Sequence, residues 1–245
     1  MRFNKISHLV GVLAAGGAMV VATSSSASAA DATVFVPEDF IPALSDTRAN
    51  GHFEVEGTGL HVWTDNPVSS SSLNKVAEYW EASGGALPTS ASIDYTNNSG
   101  VEPGMQIVFD VDDIEGNGND YNVLVGESVY GDNWWLTSSS SADAKAADPS
   151  GANNGGNGSE WFGTLTEWEA AFASERVYAY GFSLGSGVLG DGVINSMTFG
   201  DTTYTFAEHA VLVGKEECKE GGWATSTMPA FKNQGDCVSY FASGK

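Results

Sequence analysis

The densest set of groups able to do chemistry is Asp110-Val111-Asp112-Asp113-Ile114-Glu115-Gly116-Asn117-Gly118-Asn119-Asp120. Within it, Asp113-x-Glu115-x-Asn117-Gly118 approximates the opening of a Ca²⁺ loop. There, oxygen ligands on alternate residues converge because a glycine permits a sharp turn. Two departures count against it: Glu115 stands where Asp or Asn is usual, and Leu124 occupies the place of the closing bidentate Glu. The competing reading is an Asp/Asn/Gly hairpin turn closing the strand Gln106 to Val111. The same residues offer a pair of catalytic carboxylates. Asp110-x-Asp112-x-x-Glu115 has the outline of a Glu-x-Asp-x-x-Glu signature found in β-sandwich glycosidases. A retaining mechanism needs a nucleophile and an acid/base about 5 to 5.5 Å apart. Asp110 is a methylene shorter than that nucleophile, and Glu115 already enters the glycine-rich turn.

Aromatic residues carry a second kind of chemistry. Sugar rings stack their C–H faces on indoles and hydrogen-bond their hydroxyls to adjacent amides and carboxylates. Asp132-Asn133-Trp134-Trp135 has that composition, with Trp161 following at the far end of a long polar stretch. Adjacent strand residues point to opposite faces, so one of Trp134 and Trp135 is expected in the core and the other outward. Trp63, Trp80 and Trp168 are assigned to the core, because large aromatics more often pack than bind. Nucleophilic triads have little support. Outside the first thirty residues the bases are His52, His61 and His209, none beside a Gly-x-Ser-x-Gly elbow, and His52 and His61 read as surface or half-buried strand residues flanking one hairpin.

The elements that must position these groups have a period of two. Phe53 and Val55, Leu60 and Val62, Ile93 and Tyr95, Ile107, Phe109 and Val111, Val123 and Val125, and Val177, Ala179 and Gly181 alternate as half-buried strands do. Gly/Asn/Asp/Ser clusters at 56–59, 97–100, 116–119 and 190–192 mark the turns between them. The ambiguous segment Leu73 to Trp80 is read as strand. One helix is expected after Thr164, whose capping box with Glu167 precedes Leu165, Trp168 and Phe172 at helical spacing. Many short strands and one short helix predict an all-β fold, a β-sandwich or jelly roll spanning 31–206. Residues 137–160 are too long and polar for a plain connection; such stretches are either disordered or functional.

The ends of the chain set its address. Residues 1–29 have the three parts of a secretory signal peptide: Arg2 and Lys5, an apolar run from Leu9 to Ala22, and Ala27-Ser28-Ala29 before a cut, with Ala30 the other possible cleavage point. No later segment approaches the roughly 20 apolar residues of a membrane span. Loss of the leader removes two basic residues and moves the net charge from −21 to −23. Such an excess of carboxylates repels phosphate and argues against nucleic acid. Beyond a polar linker at 207–217, residues 218–245 form a small unit. Its Cys218 and Cys237 are expected to pair in an oxidising compartment, closing a loop of about 20 residues worth ~3 kcal/mol. Trp223, Phe231, Val238 and Phe241 are expected to be buried by a disulfide-tied helix pair.

Several stretches resemble known patterns. Leu60-His61-Val62-Trp63-Thr64, Leu124-Val125-Gly126-Glu127, Tyr130 to Thr137 and Tyr180 to Val188 resemble a β-sandwich-like module, itself without an assigned activity, that recurs in secreted actinobacterial proteins. The tail resembles a short Cys-x-x-Gly-Gly-Trp…Phe-x-Asn-Gln-Gly-x-Cys-Val motif at the C-termini of other exported proteins of that group. Neither resemblance brings catalytic residues with it. The expectation is a secreted, extracellular, non-catalytic module binding a polysaccharide or cell-envelope component. Its candidate site combines Trp134 or Trp135, Asp132 and Asn133, the 112–120 turn and the 137–160 loop. The alternatives are a glycan hydrolase using Asp110 and Glu115, and an exported structural protein without a small ligand.

Overall fold

A computed structural model describes residues 30–65, 73–82, 84–150, 158–172 and 174–244. The expected leader and the 151–157 part of the polar loop lie outside the described residues. Twelve strands are present among them: β1 (Ala30–Phe35), β2 (Gly51–Glu56), β3 (Gly59–Thr64), β4 (Lys75–Glu81), β5 (Ala91–Gly100), β6 (Gly104–Asp110), β7 (Asn122–Gly126), β8 (Asn133–Leu136), β9 (Phe162–Thr164), β10 (Arg176–Gly185), β11 (Gly190–Phe199) and β12 (Thr202–Ala207). Three short helices accompany them: α1 (Ala142–Ala146), α2 (Leu165–Ala171) and α3 (Gln234–Ala242).

The strands form two six-stranded sheets, so the expected all-β sandwich is the fold found. One sheet runs β1-β12-β11-β3-β2, with β5 along the other edge of β11. The second runs β4-β10-β6-β7-β8-β9. The alternating apolar residues explain the stacking. Leu60, Val62, Ile194 and Phe206 from the first sheet meet Ile107, Phe109, Leu124 and Phe182 from the second in one buried layer. Trp80 and Trp168 complete it, and truncating any one of these large side chains to Ala would cost about 3 to 5 kcal/mol. The 73–80 segment is strand from Lys75 onward, because Val76 and Trp80 face this layer; Leu73 and Asn74 precede the strand.

The helix after Thr164 forms with the expected capping box. The Glu167 amide donates to Thr164 Oγ1 at 3.2 Å, and the Thr164 amide donates to Glu167 Oε2 at 2.8 Å. Trp168 on this helix donates its indole N–H to the Trp134 carbonyl at 3.0 Å, fastening α2 to β8.

Two departures from the alternating pattern matter. Val177 and Ala179 do not share a face: Val177 is in the inter-sheet core, whereas Ala179 packs on the outer face with Ala77, Tyr79 and Val108. The register of β10 against β6 shifts between them, so Tyr178 is an inserted, bulged residue that reverses the parity of the strand. Trp63 is the second correction. Leu60, Val62 and Thr64 take the inward positions of β3, which leaves His61 and Trp63 on the outer face, half-buried.

The outer edge of β4 is not left bare. The irregular segment 41–50 follows it, with the amides of Ile41, Asp46 and Arg48 donating to the carbonyls of Tyr79, Ala77 and Lys75 at 2.8 to 2.9 Å. Hydrogen bonds from Arg48 and Lys75 hold the Asp46 carboxyl down at about 2 against the opposing effect of burial, pinning this segment by charge as well.

In the tail, Cys218 and Cys237 are disulfide-bonded with a Cα–Cα distance of 5.8 Å. The expected helix pair is instead a single-turn 3₁₀ segment at Gly222–Ala224 and α3, capped by the Asn233 side chain. Trp223, Phe231, Val238 and Phe241 are only half-buried there, because so short a unit has no second layer to cover them. Among the described residues, no helix is long and apolar enough to cross a membrane.

Candidate functional site

The acidic turn between β6 and β7 is built by its own side chains. The Asp112 carboxylate accepts from the Ile114 amide and from the side-chain amides of Asn117 and Asn119, at 2.9 to 3.3 Å. Asp120 accepts from the Gly116 and Gly118 amides, at 2.6 and 3.3 Å. Burial would by itself raise the Asp112 carboxyl, but these donors outweigh it and hold the group below its ordinary value. The three residues expected to hold Ca²⁺ do not converge. Asp113 turns to Arg176, 3.5 Å away, Glu115 is exposed, and the Asn117 side-chain oxygen accepts from the Asn119 amide. Among the described residues, no three His, Cys, Asp or Glu side chains gather as metal ligands. The residues serve the turn, as Asx side chains do when they replace ladder hydrogen bonds at a strand end.

The catalytic pair is also separated. Asp110 is the last residue of β6 and is fully buried, so alternation along a strand does not extend to Asp112 and Glu115. Its Oδ1 accepts from the Asp112 amide at 3.1 Å, while Oδ2 has no hydrogen-bond partner. Burial pushes this carboxyl up, and the neighbouring Asp112 charge acts in the same direction. With Asp110 closed off beneath the turn and Glu115 exposed in it, the two carboxyls do not present the facing pair that a glycosidic bond requires.

Of the two adjacent indoles, Trp134 is in the core and Trp135 faces outward. Trp134 lies on the backbone of Gly126, where a Cβ would sit 2.5 Å from the ring. Trp135 donates its N–H to Glu127 Oε2 at 2.9 Å and is covered on one side by Gly158, where a Cβ would come within 2.4 Å of the indole. Asp132 is exposed and Asn133 half-buried beside it. The acidic turn precedes β7 and Glu127, Asp132 and Asn133 follow it, so the two groups sit at opposite ends of that strand, about 15 Å apart at the usual rise per residue. The composite surface expected from the sequence is therefore divided. What the turn does meet is the 137–160 stretch: Asn119 Nδ2 donates to Asp143 Oδ2 of α1 at 2.8 Å. Trp161 lies under the Lys145 ammonium, 4.9 Å from its ring centroid.

A concavity lies elsewhere, where the first strand and the 38–44 segment pass from one sheet to the other. It is a cleft of about 1420 Å³, lined from both sheets. Tyr121 and Tyr178 stand at its side, with ring centroids 6.0 Å apart and planes 30° from parallel. Tyr121 is 66% exposed, and the bulge in β10 is what turns Tyr178 toward it. Arg176 lies over Tyr178, 5.5 Å from the ring, and is itself paired with Asp113. Glu38, Asp39 and Glu81 contribute carboxylates to the lining, and none of the described lining residues is basic. Trp80 and Tyr204 form part of the wall that reaches the core.

Sequence reasoning did not find this cleft. Tyr121 could be read as exposed from its place beside the turn, but Tyr178 is turned by a bulge that leaves no mark in the local pattern. It also passed over a cluster on the outer face of the other sheet. His52 and His61 both stack on Trp63, with centroids 5.0 and 4.5 Å away, and are held by Asp65, and by Glu54 and Asp191, respectively. Burial would lower the His61 pKa, but the two carboxylates outweigh it and leave it raised. This group was readable: inward Leu60 and Val62 oblige His61 and Trp63 to face out, and the hairpin register places His52 opposite Trp63.

No protein-family model, curated protein or solved structure matches this chain.

Proposed function

We propose that the protein is a secreted, non-catalytic binding module for an extracellular or cell-envelope glycan, and that the ligand lies in the cleft beside Tyr121 and Tyr178. The observation that carries this reading is the exposed Tyr121 ring, stacked on Tyr178 at the side of a 1420 Å³ cleft that also contains Glu38, Asp39 and Glu81. Ligand sites are concave, largely apolar and furnished with a few fixed polar groups. A phenol ring offers a flat face to the C–H side of a sugar, and the carboxylates accept hydrogen bonds from its hydroxyls. Arg176 and Asp113 hold Tyr178 from behind, so the platform is set before a ligand arrives.

The test is affinity electrophoresis in gels containing arabinoxylan, mixed-linkage β-glucan or glycol chitin. Wild type is expected to be retarded by at least one of them. Tyr121→Ala should lose that retardation, while Trp135→Ala, outside the cleft, keeps it. Retention by Tyr121→Ala together with loss in Trp135→Ala would move the site to β8.

A further inference from the structure

Strand β1 ends its sheet and pairs with β12 alone, in parallel. In a strand, successive residues turn their backbone N–H and C=O groups to opposite sides, so the groups on the open side need partners of their own. Ala30 and Val36 donate to the carbonyls of Asp201 and Ala207, at the two ends of β12, over 2.7 and 2.8 Å. Ala32 and Val34 share their parity and face the same partner. Asp31, Thr33 and Phe35 therefore turn their backbone groups to the open side. At Phe35 that side is closed by Asp39, whose Oδ2 accepts from the Phe35 amide at 2.7 Å and whose amide donates to the Phe35 carbonyl at 2.8 Å. Asp31 and Thr33 are exposed and lack such a cover; their amides and carbonyls have no partner among the described residues. Ala32, Thr33 and Asp39 all line the cleft, so the edge that Asp39 closes at one end is an edge the cleft wall presents.

We infer that this open edge is a docking site for an extended, basic peptide segment, which adds as a further strand beside β1 at Asp31 and Thr33. An extended peptide repeats its N–H and C=O pairs every second residue, ~7 Å along, which is the spacing of the Asp31 and Thr33 pairs. A sugar chain has no such repeat. Charge selects among peptides: Glu38, Asp39 and Glu81 line the cleft, and Asp31 is exposed on the strand itself. Removal of the expected leader adds an α-ammonium at Ala30. Its nitrogen is the one directed at the Asp201 carbonyl, on the β12 side and ~10 Å along the strand from Thr33. The carboxylates outnumber that ammonium, and the side chains they favour are Lys and Arg. A second copy of the chain fits the edge less well, because at a net charge of −21 it would set the same carboxylates against one another. The peptide is a ligand separate from the glycan proposed beside Tyr121 and Tyr178. At about 1420 Å³ the cleft exceeds the roughly 300 to 1,000 Å³ of a single small-ligand site, which leaves room for both.

The experiment titrates the full-length mature protein with an end-blocked Lys-Val-Lys-Val-Lys peptide, and with Glu-Val-Glu-Val-Glu as the charge control, while backbone amide resonances are followed by NMR. The Lys peptide should shift the Asp31 and Thr33 amides more than those of Ala32 and Val34, which are already bonded to β12, and the Glu peptide should shift neither. Thr33→Pro removes an N–H that the ladder to β12 does not use and sets a ring on the open edge. Affinity for the Lys peptide should then fall about fivefold or more, the loss expected for one hydrogen bond. Glu38→Gln combined with Glu81→Gln leaves the backbone as it is, so it tests the site even if Thr33→Pro disturbs the strand; it should weaken the Lys peptide about threefold. Unmoved Asp31 and Thr33 amides, or equal binding of the Glu peptide, would overturn the inference. So would a doubled mass in light scattering that Thr33→Pro abolishes, which would give the edge to a second copy. Absence of the peptide response with Tyr121-dependent gel retardation intact sinks this inference alone, and the reverse pattern sinks the glycan reading alone.

Discussion

Asp110 shows how a single residue can look catalytic in sequence and be structural in space. Its carboxyl is sealed beneath the acidic turn with one oxygen unpartnered, so the folded state favours its protonated form. A group whose pKa is raised on folding contributes stability below its unfolded pKa of about 3.9, and that contribution is lost as pH rises through the folded value. Asp110→Asn removes the titrating group and keeps the oxygen that accepts from the Asp112 amide. It should therefore raise the melting temperature at pH 7 relative to wild type, with the difference shrinking toward pH 4. Thermal melts across that range check the sign, and an Asn variant that is less stable at pH 7 would mean that the ionised carboxylate is what the fold prefers. Glu115, three residues beyond Asp112, has none of this burial, which is why the same acidic string yields no pair.

At the level of elements, local chemistry and packing agree most closely at α2. The Thr164 cap and the Glu167 return contact satisfy amides that an isolated helix start would leave to water, and Trp168 joins the helix to β8. Thr164→Ala should cost about 1 kcal/mol, the usual value of an N-cap, read as a lower midpoint in urea with an unchanged slope. A loss below about 0.3 kcal/mol would show that tertiary contacts alone hold α2. Strand β10 is the contrary case. Its bulge at Tyr178 breaks a pattern that reads as continuous alternation through Val177, Ala179 and Gly181, and the bulge supplies one wall of the cleft. Register shifts of this kind depend on the partner strand, so the strand's own residues do not announce them.

On the scale of the whole molecule, the sandwich and the tail are stabilised differently. The sandwich has a continuous inter-sheet core, whereas the tail has its disulfide, an Asn233-capped helix and half-buried aromatics. Reduction should therefore loosen the tail and leave the sandwich transition in place. Removing the 218–237 link is worth ~3 kcal/mol in the chain-entropy model. Hydrogen exchange with and without reductant should show faster exchange confined to residues 208–244. Faster exchange throughout the strands would mean that the tail braces the sandwich.

The sequence by itself determined the all-β class, the capped helix, the turns at 56–59 and 116–119 and the cysteine pair, because each depends on residues close together in the chain or on a period of two; the clusters at 97–100 and 190–192, expected to be turns, are instead the paired ends of β5 and β11, because a distant partner strand supplies their ladder hydrogen bonds. It also required that one of Trp134 and Trp135 be buried. Tertiary structure alone decided which one, through the register that seats Trp134 on Gly126. It alone separated the acidic turn from the Asp132-Asn133 end of β8 and brought Tyr121 against Tyr178. Those relations join strands far apart in sequence, and their geometry is fixed by how the sheets pair and stack, which no local pattern encodes.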